Sequence, residues 1–307
     1  MDALSEVLRL ARFTAGVTLD ATARAPWCVS VSASTLVARA HLLIDGECVI
    51  KTGATEVRLK AGEIAFLPRG DAHLVGSSLD ADAKSLSALV KVPIPGELVP
   101  IHVGGNGAAT RWIVLSSSCE RHLADPLLGA LPDVMRVDIS NASAFYWLTD
   151  ALGLTLSASA APPVGATAER SRLAELVLIE AISRHVYWLP PGGMGWLAGL
   201  NDRFVGRALA LVHGRPSEPW TVERLGRHVG LSRSTLADRF SEVMGEPIFA
   251  FLTRWRLTVA AENLLTTTRP VESIAHDAGY ESAGAFSAAF KRAFGKPPSV
   301  WRKRRRR

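Results

Sequence analysis

One pattern occurs twice between Thr221 and Arg302, and it constrains the fold of this stretch more than any other feature of the chain. The first copy runs Val222-Glu223-Arg224-Leu225, Gly230-Leu231-Ser232, Leu236, Phe240 and Gly245-Glu246-Pro247. The second runs Val271-Glu272-Ser273-Ile274, Gly279-Tyr280-Glu281-Ser282, Phe286, Phe290 and Gly295-Lys296-Pro297. Val222 and Val271, Leu225 and Ile274, and Gly230 and Gly279 are each 49 residues apart, whereas Ser232 and Ser282 are 50 apart. The second copy therefore carries one extra residue just after its glycine, where a turn can absorb it. Two copies held in register over this length imply a duplicated structural unit.

Each copy reads as helix, tight turn, helix. Thr221 is placed to cap a helix over Val222–Val229, and Gly230 suits a left-handed helix end. Ser232 caps the next helix, to Met244, and Pro247 stands where a first helical turn tolerates it, opening a long helix to about Leu265. The second copy repeats the plan with Val271–Ala278, Gly279, Ser282–Phe294 and a last turn over Pro298–Arg302. Upstream, Asp202–His213 reads as one helix, ended by Gly214-Arg215-Pro216. A helix, a glycine turn and a second helix sized for the major groove is the helix-turn-helix plan. In copy one, Leu225, Val229, Leu231, Leu236 and Phe240 take the packed side, which leaves Arg233, Ser234, Ala237, Asp238 and Arg239 facing outward. In copy two, Ile274, Tyr280, Phe286 and Phe290 pack, and Ala283, Gly284, Ser287, Ala288 and Lys291 are left outward.

Charge supports the same assignment. Residues 201–307 hold 19 basic and 10 acidic side chains, net +9, while residues 1–200 are net −3. A basic excess confined to the segment with the repeat points to a polyanion there. Arg233, Arg254, Arg256, Lys291, Arg292 and Lys296 are the candidate phosphate contacts. The run Trp301-Arg302-Lys303-Arg304-Arg305-Arg306-Arg307 adds sequence-independent, salt-sensitive affinity.

The rest of the chain has another texture. Residues 1–20 read as a short, partly helical opening segment. From Cys28 to about Val103 short apolar runs (Ser34–Ala38, His41–Ile44, Cys48–Lys51, Glu56–Leu59) alternate with glycine turns, which predicts a barrel or sandwich. Gly62-Glu63-Ile64-Ala65-Phe66-Leu67-Pro68-Arg69-Gly70-Asp71-Ala72-His73 reads as a turn, a buried strand and a Pro/Gly corner that swings His73 back toward the interior. Further strand-like segments, including Trp112–Leu115, follow to about Ile139, with Leu127–Pro132 a short helical turn or loop. Residues 152–167 read as a loop. Ala168–Trp188, free of proline and glycine, is a helix with a broad apolar face, wide enough for its own barrel, a second subunit, or both. Leu189-Pro190-Pro191-Gly192-Gly193 is the linker candidate. Cys28, Cys48 and Cys119 are odd in number and widely spaced; a reducing cytoplasm fits, and each is either a buried small hydrophobe or a thiol sensor. No run of 18 apolar residues and no basic-then-apolar leader is present, so neither a membrane span nor a signal peptide is expected.

Residues 201–302 resemble the DNA-binding domain of the AraC/XylS family of bacterial transcription regulators. The resemblance rests on Pro219-Trp220-Thr221, Gly230-Leu231-Ser232-Arg233-Ser234, Arg239-Phe240, Trp255-Arg256, Ile274-Ala275, Gly279-Tyr280-Glu281-Ser282, Phe286, Ala289-Phe290, Ala293-Phe294-Gly295 and Pro297. Residues 28 to about 140 are similar to the cupin-type sensor domain of one AraC subgroup, through the Gly62–His73 motif. The resemblance implies an α+β chain: a cupin-like β-barrel over 1–167, a dimerisation helix and linker over 168–200, and two helix-turn-helix units joined by a long helix over 201–307. It implies base-reading positions at Ser234, Ala237 and Asp238 and near Gly284, Ser287 and Ala288, flanked by Arg233 and Ala283. It implies promoter double-stranded DNA, a small-molecule effector near His41 and His73, a second copy of the chain and RNA polymerase as partners, in the cytoplasm, with either activation or repression of transcription as the output. Metal-binding cupins carry a histidine pair on an early strand. Here only His41 stands there, so no metal or other cofactor is expected and no enzyme activity; the alternative is a metal-dependent cupin enzyme fused to a DNA-targeting module.

Overall fold

The computed structural model describes residues 2–34, 38–89, 101–139, 147, 150–152, 155–156, 165–190 and 192–303. The elements in chain order are helix α1 (Ala3–Leu10), strands β1 (Thr14–Arg24), β2 (Cys28–Val31), β3 (Ala38–Asp45), β4 (Glu47–Thr52), β5 (Thr55–Lys60), β6 (Glu63–Leu67), β7 (His73–Gly76) and β8 (Ala83–Ser85), helix α2 (Leu86–Leu89), strands β9 (Ile101–Gly104) and β10 (Ala109–Ser118), helix α3 (Arg121–Leu128) and strand β11 (Met135–Asp138). Helices alone follow: α4 (Ala166–Tyr187), α5 (Trp196–Asn201), α6 (Val205–Gly214), α7 (Val222–Val229), α8 (Arg233–Met244), α9 (Ile248–Thr266), α10 (Val271–Asp277), α11 (Ala283–Phe294) and α12 (Pro298–Arg302).

The chain divides into two compact units. One comprises residues 12–119 and 131–188; the other comprises residues 1–11, 120–130 and 189–307. The first unit is built on two sheets. Among the described residues one has the order β11-β6-β3-β10-β1-β9 and the other β5-β4-β7-β2-β8. All pairings are antiparallel except β1 with β9 and β2 with β8. Their inward faces enclose one core in which Leu19, Leu43, Ile50, Leu59, Leu67 and Val75 meet. Trp27 and Trp112 stack there with centroids 4.5 Å apart and planes 10° from parallel, a pairing worth about 0.5–1.5 kcal/mol beyond its area. Helix α4 packs on β1 and β11, burying Ala174, Val177, Leu178, Ala181 and Ile182.

Strand β1 departs from the expected opening segment. Its buried residues include Ala15, Ala21 and Ala23, too small to announce a strand by hydrophobic alternation. The helix expected from Asp202 starts instead at Val205, because Asp202 Oδ1 accepts from the backbone N–H of both Phe204 and Val205, 2.9 Å each. The two N–H groups at the start of α6 are satisfied and the chain before them is turned away. The segment expected as a short turn over Leu127–Pro132 is the end of α3 followed by a loop into β11. Residues 35–37 of the expected Ser34–Ala38 run, most of the 152–167 loop, Pro191 of the linker and Arg304–Arg307 lie outside the described residues.

The helical unit has two aromatic cores joined by α9. Phe240, Phe251 and Trp255 surround the first, and Phe286, Phe290 and Trp301 the second. Phe240, Phe286 and Phe290 are fully buried, each contributing about 1.5–3 kcal/mol of transfer free energy. Helices α1 and α3, remote in sequence, pack in this unit, α1 on α6 and α3 on α9. The expected domain boundaries at 167 and 200 therefore do not coincide with the structural division.

Candidate nucleic-acid interface and interior histidine pair

Both copies fold through the same local chemistry. Thr221 Oγ1 accepts from Arg224 N–H at 3.0 Å and Ser232 Oγ from Thr235 N–H at 3.2 Å; Ser282 Oγ accepts from Ala285 N–H at 3.2 Å. Gly230 and Gly279 are left-handed, with φ of 83° and 81°, a conformation that glycine adopts without strain. Between that glycine and the capping serine stands Leu231 in copy one and Tyr280-Glu281 in copy two, which locates the extra residue. The shorter turn brings the Leu231 carbonyl so close to α7 that a Cβ on Gly226 would lie 2.6 Å from its oxygen. Ala275 occupies the corresponding place in copy two and is buried there.

The second helices present their first turns to solvent. Arg233, Ser234 and Asp238 are exposed and Ala237 half-buried; Gly284 and Ala288 are exposed, Ala283 and Ser287 half-buried. Thr235 and Ala285 are exposed on the same turns and escaped the sequence reading. Both precede the buried aromatic or leucine by one residue, and that spacing was the available signal. Asp238 has no arginine partner among the described residues. Arg239 does have one: its Nε and Nη2 donate to Asp202 at 2.7–3.1 Å, with the guanidinium 5.3 Å from the Phe204 ring.

The candidate phosphate contacts separate into three kinds. Arg233, Lys291, Arg292 and Lys296 are exposed and have no hydrogen bond or ion pair among the described residues. Arg254 donates from both Nη atoms to Glu246, 2.6 Å each. Arg256 is not a surface cation. Its Nε donates to the Pro216 carbonyl and its Nη2 to the Glu218 carbonyl, 2.7 Å each. A Cβ on Gly279 would lie 2.8 Å from its Nη1. Arg256 ties the bridging helix to the segment before α7 and to the turn of copy two, and burial lowers its pKa.

The other predicted site lies inside the sheet unit. Arg39, His41 and Leu43 alternate on the inward face of β3, and His73 opens β7 in the opposite sheet, paired with Val31. The Gly62–His73 motif folds as read: Glu63–Leu67 is buried along its whole length, Gly70 turns the corner at φ 68°, and His73 returns inward. His41 and His73 are 1% and 4% exposed, and their Nε2 atoms are 2.8 Å apart. The Asp71 carbonyl can only accept, so His73 Nδ1, 2.9 Å away, carries its proton. His73 Nε2 then accepts from His41 Nε2–H, and His41 Nδ1 is left with a lone pair and no partner among the described residues. Burial, then His73 and the positive charge of Arg39, pull His41 well below the usual imidazole range. His73 is lowered mainly by burial, against the bond to Asp71. No third His, Cys, Asp or Glu completes a metal-binding group with this pair among the described residues.

Two of the three thiols, those of Cys28 and Cys48, are unfavourably placed for redox chemistry. Cys28 and Cys48 are buried. Burial raises the Cys28 thiol pKa and, with the charges of Glu47 and Glu63, pushes that of Cys48 up to about 12, which suppresses the reactive thiolate. No helix among the described residues is long and apolar enough to cross a membrane.

Two helix-turn-helix units on one bridging helix, with unpaired cations on the exposed second helix, define a DNA-binding module, here combined with a two-sheet unit that encloses polar groups. Comparison with known proteins gives the family. Residues 2–187 match a cupin family and residues 225–304 a helix-turn-helix domain family; the cupin match runs to the end of α4. The chain is 32% identical to an AraC-like transcription regulator of Streptomyces antibioticus over 99% of both chains. It is 30% identical to one of Streptomyces lividans over 99% of this chain and 98% of the relative. It is 28% identical to the HTH-type transcriptional regulator AlkR of Acinetobacter baylyi over 98% of this chain and 99% of that one. The chain belongs to the AraC-like transcription regulators, DNA-binding proteins with a cupin-type N-terminal domain.

Proposed function

We propose that this protein is an effector-responsive cytoplasmic regulator that binds promoter double-stranded DNA as a homodimer. The observation that carries the DNA reading is the exposure of the first turns of both second helices while their apolar residues pack inward. Arg233, Ser234, Ala237 and Asp238 read bases from copy one, and Ala283, Gly284, Ser287 and Ala288 lie against the groove from copy two. Small side chains cannot make bidentate bonds to base edges, so copy two reads thymine methyls or groove shape, or mainly sets register. Lys291, Arg292 and Lys296 neutralise phosphates; Arg254 joins them when it leaves Glu246.

The effector binds inside the sheet unit beside His41 and His73. A buried acceptor without a partner costs about 1–3 kcal/mol, and a ligand donor at His41 Nδ1 recovers it. Effector binding shifts the population between DNA-competent and incompetent arrangements. Helix α4 pairs the subunits through Leu176 and Tyr187, which are 46% and 70% exposed, together with half-buried Ile179 between them. The test is footprinting on DNA flanking the protein's own gene across a salt series. A protected site with a steep fall of affinity with salt is expected; a shallow slope would sink the phosphate assignments.

A further inference from the structure

The polar groups on the inward face of the sheet unit are more specific than a general ligand site. Arg39 stands two residues before His41 on the same face of β3. Among the described residues its guanidinium makes one hydrogen bond, from Nη1 to the Ser32 carbonyl at 3.1 Å, and has no carboxylate partner. A half-buried arginine without an acid is unusual, because burial disfavours the charged form and is ordinarily offset by pairing; burial alone lowers its pKa. Asp71, which also faces His73, lies 3.6 Å from the Arg69 guanidinium. One positive charge and one lone pair, His41 Nδ1, are thus left unmatched in one corner of the interior. Both flanking positions in the sheet are small or modest: His41 stands between Ala65 on β6 and Val114 on β10.

We infer that the effector is a hydroxycarboxylic acid, its carboxylate on the Arg39 guanidinium and its hydroxyl donating to His41 Nδ1. This rests on the reading that the effector occupies the interior beside the histidine pair, and it names the class. A simple carboxylate leaves His41 Nδ1 facing an acceptor. A neutral alcohol leaves the guanidinium unpaired. A cation is repelled by Arg39. A molecule carrying both an anion and a hydroxyl donor satisfies the two groups without a change of protonation, since His41 is held neutral. His73 is a positioning residue: its bond to the Asp71 carbonyl fixes the tautomer that aims the His41 lone pair at the ligand.

The test uses matched probes on the full-length wild-type protein by titration calorimetry: 2-hydroxybenzoate against benzoate and 2-hydroxybenzamide, and 3-hydroxybutyrate against butyrate and 3-hydroxybutyramide. In at least one series the hydroxy acid is expected to bind about tenfold or more tightly than either counterpart, the worth of one charge-assisted or buried hydrogen bond. R39Q should erase the preference for acid over amide, and H41F the preference for hydroxyl over hydrogen, with circular dichroism confirming that each variant is folded. If the amides bind as well as the acids and H41F weakens both, the effector is neutral: the acid class falls while the interior site stands. If no probe saturates, or binding is unchanged in R39Q and H41F, the class and the interior site both fall.

Discussion

Replacing Gly226 by alanine tests whether turn length sets the packing of the first helix-turn-helix unit. In a helix with open space around it, Gly→Ala stabilises by about 0.8–1 kcal/mol. Here the new methyl would lie 2.6 Å from the Leu231 carbonyl oxygen, against about 3.3–3.6 Å for a relaxed carbon–oxygen contact. The carbonyl cannot simply rotate away. The Leu231 and Gly230 N–H groups both donate to the Gly226 carbonyl, at 2.9 and 2.8 Å, and Ser232 already caps α8. The unit must open by several tenths of an ångström, an overpacking cost of about 1–3 kcal/mol. The net expectation is a loss of roughly 1–2 kcal/mol, seen as a fall of a few degrees in melting temperature, with weaker DNA binding because α8 moves relative to α7. Inserting one residue between Leu231 and Ser232 in the same variant should recover stability, since copy two, with that extra residue, accommodates Ala275. Thermal unfolding and a gel-shift titration of the full-length protein measure both effects. A G226A protein that melts higher and binds DNA as before would refute the reasoning.

Scrambling the half-site under copy one should weaken binding more than scrambling the other half, by about tenfold, the lower end of what one good base contact contributes; equal losses would leave a symmetric reader. Alanine at Lys291, Arg292 or Lys296 should each reduce the slope of log affinity against log salt by about 1. R256A should leave that slope unchanged and instead lower stability by about 2 kcal/mol, through the loss of charged bonds to two carbonyls; a changed slope with an unchanged melting point would reverse this assignment. Burial among Trp196, Phe251 and Trp255 pulls His213 down to about 3, below the value of about 6.5 in an unfolded chain. The unfolded chain takes up its proton first as pH falls, so stability is full above about 6.5 and declines by up to about 1.4 kcal/mol per pH unit toward 3. His41 and His73 act in the same direction in the sheet unit. Thermal melts at pH 7.5 and 5.0 should show the loss, and H213F should reduce it; identical pH dependence in H213F would exclude this histidine as the cause.

What could be read from the sequence was what is local. The caps Thr221, Ser232 and Ser282, the glycines at the turns and the helices they bound depend on residues within a few positions of one another, and they stand where the spacing puts them. The Gly62–His73 corner was legible for the same reason. Features that depend on distant partners were not. Nothing near Arg256 marks it as a tie to Pro216 and Glu218, because those carbonyls are some 40 residues away. Asp202 looked like the first residue of a helix; its role as a cap and as the partner of Arg239 needs α8 in place. Strand β1 was hidden by its alanines; the helical start of the opening segment was legible, but not its packing in a unit whose other members lie more than a hundred residues downstream. Arg39 was missed because an unpaired charge is visible only once the acids around it have been placed.

The two copies share a scaffold and differ in how much chemistry they carry, and the one-residue difference in their turns bears on why. The short turn of copy one forces glycine at position 226 and presses Leu231 onto α7, while Ser232 Oγ and Thr235 Oγ1 lie 2.8 Å apart at the start of α8. Its first turn is therefore tightly fixed, and it carries Arg233, Ser234 and Asp238. Copy two has a longer turn with Tyr280 and Glu281, and it presents Gly284, Ala285 and Ala288. A base-reading side chain gains specificity only when its backbone is held, because ordering a loose one on the DNA costs part of the contact energy. Polar reading groups on the copy with the shorter turn and small residues on the copy with the longer one are the distribution that this cost favours. Fitting copy two with long polar side chains at 284 and 288 should accordingly increase affinity for DNA in general more than it increases discrimination between sites.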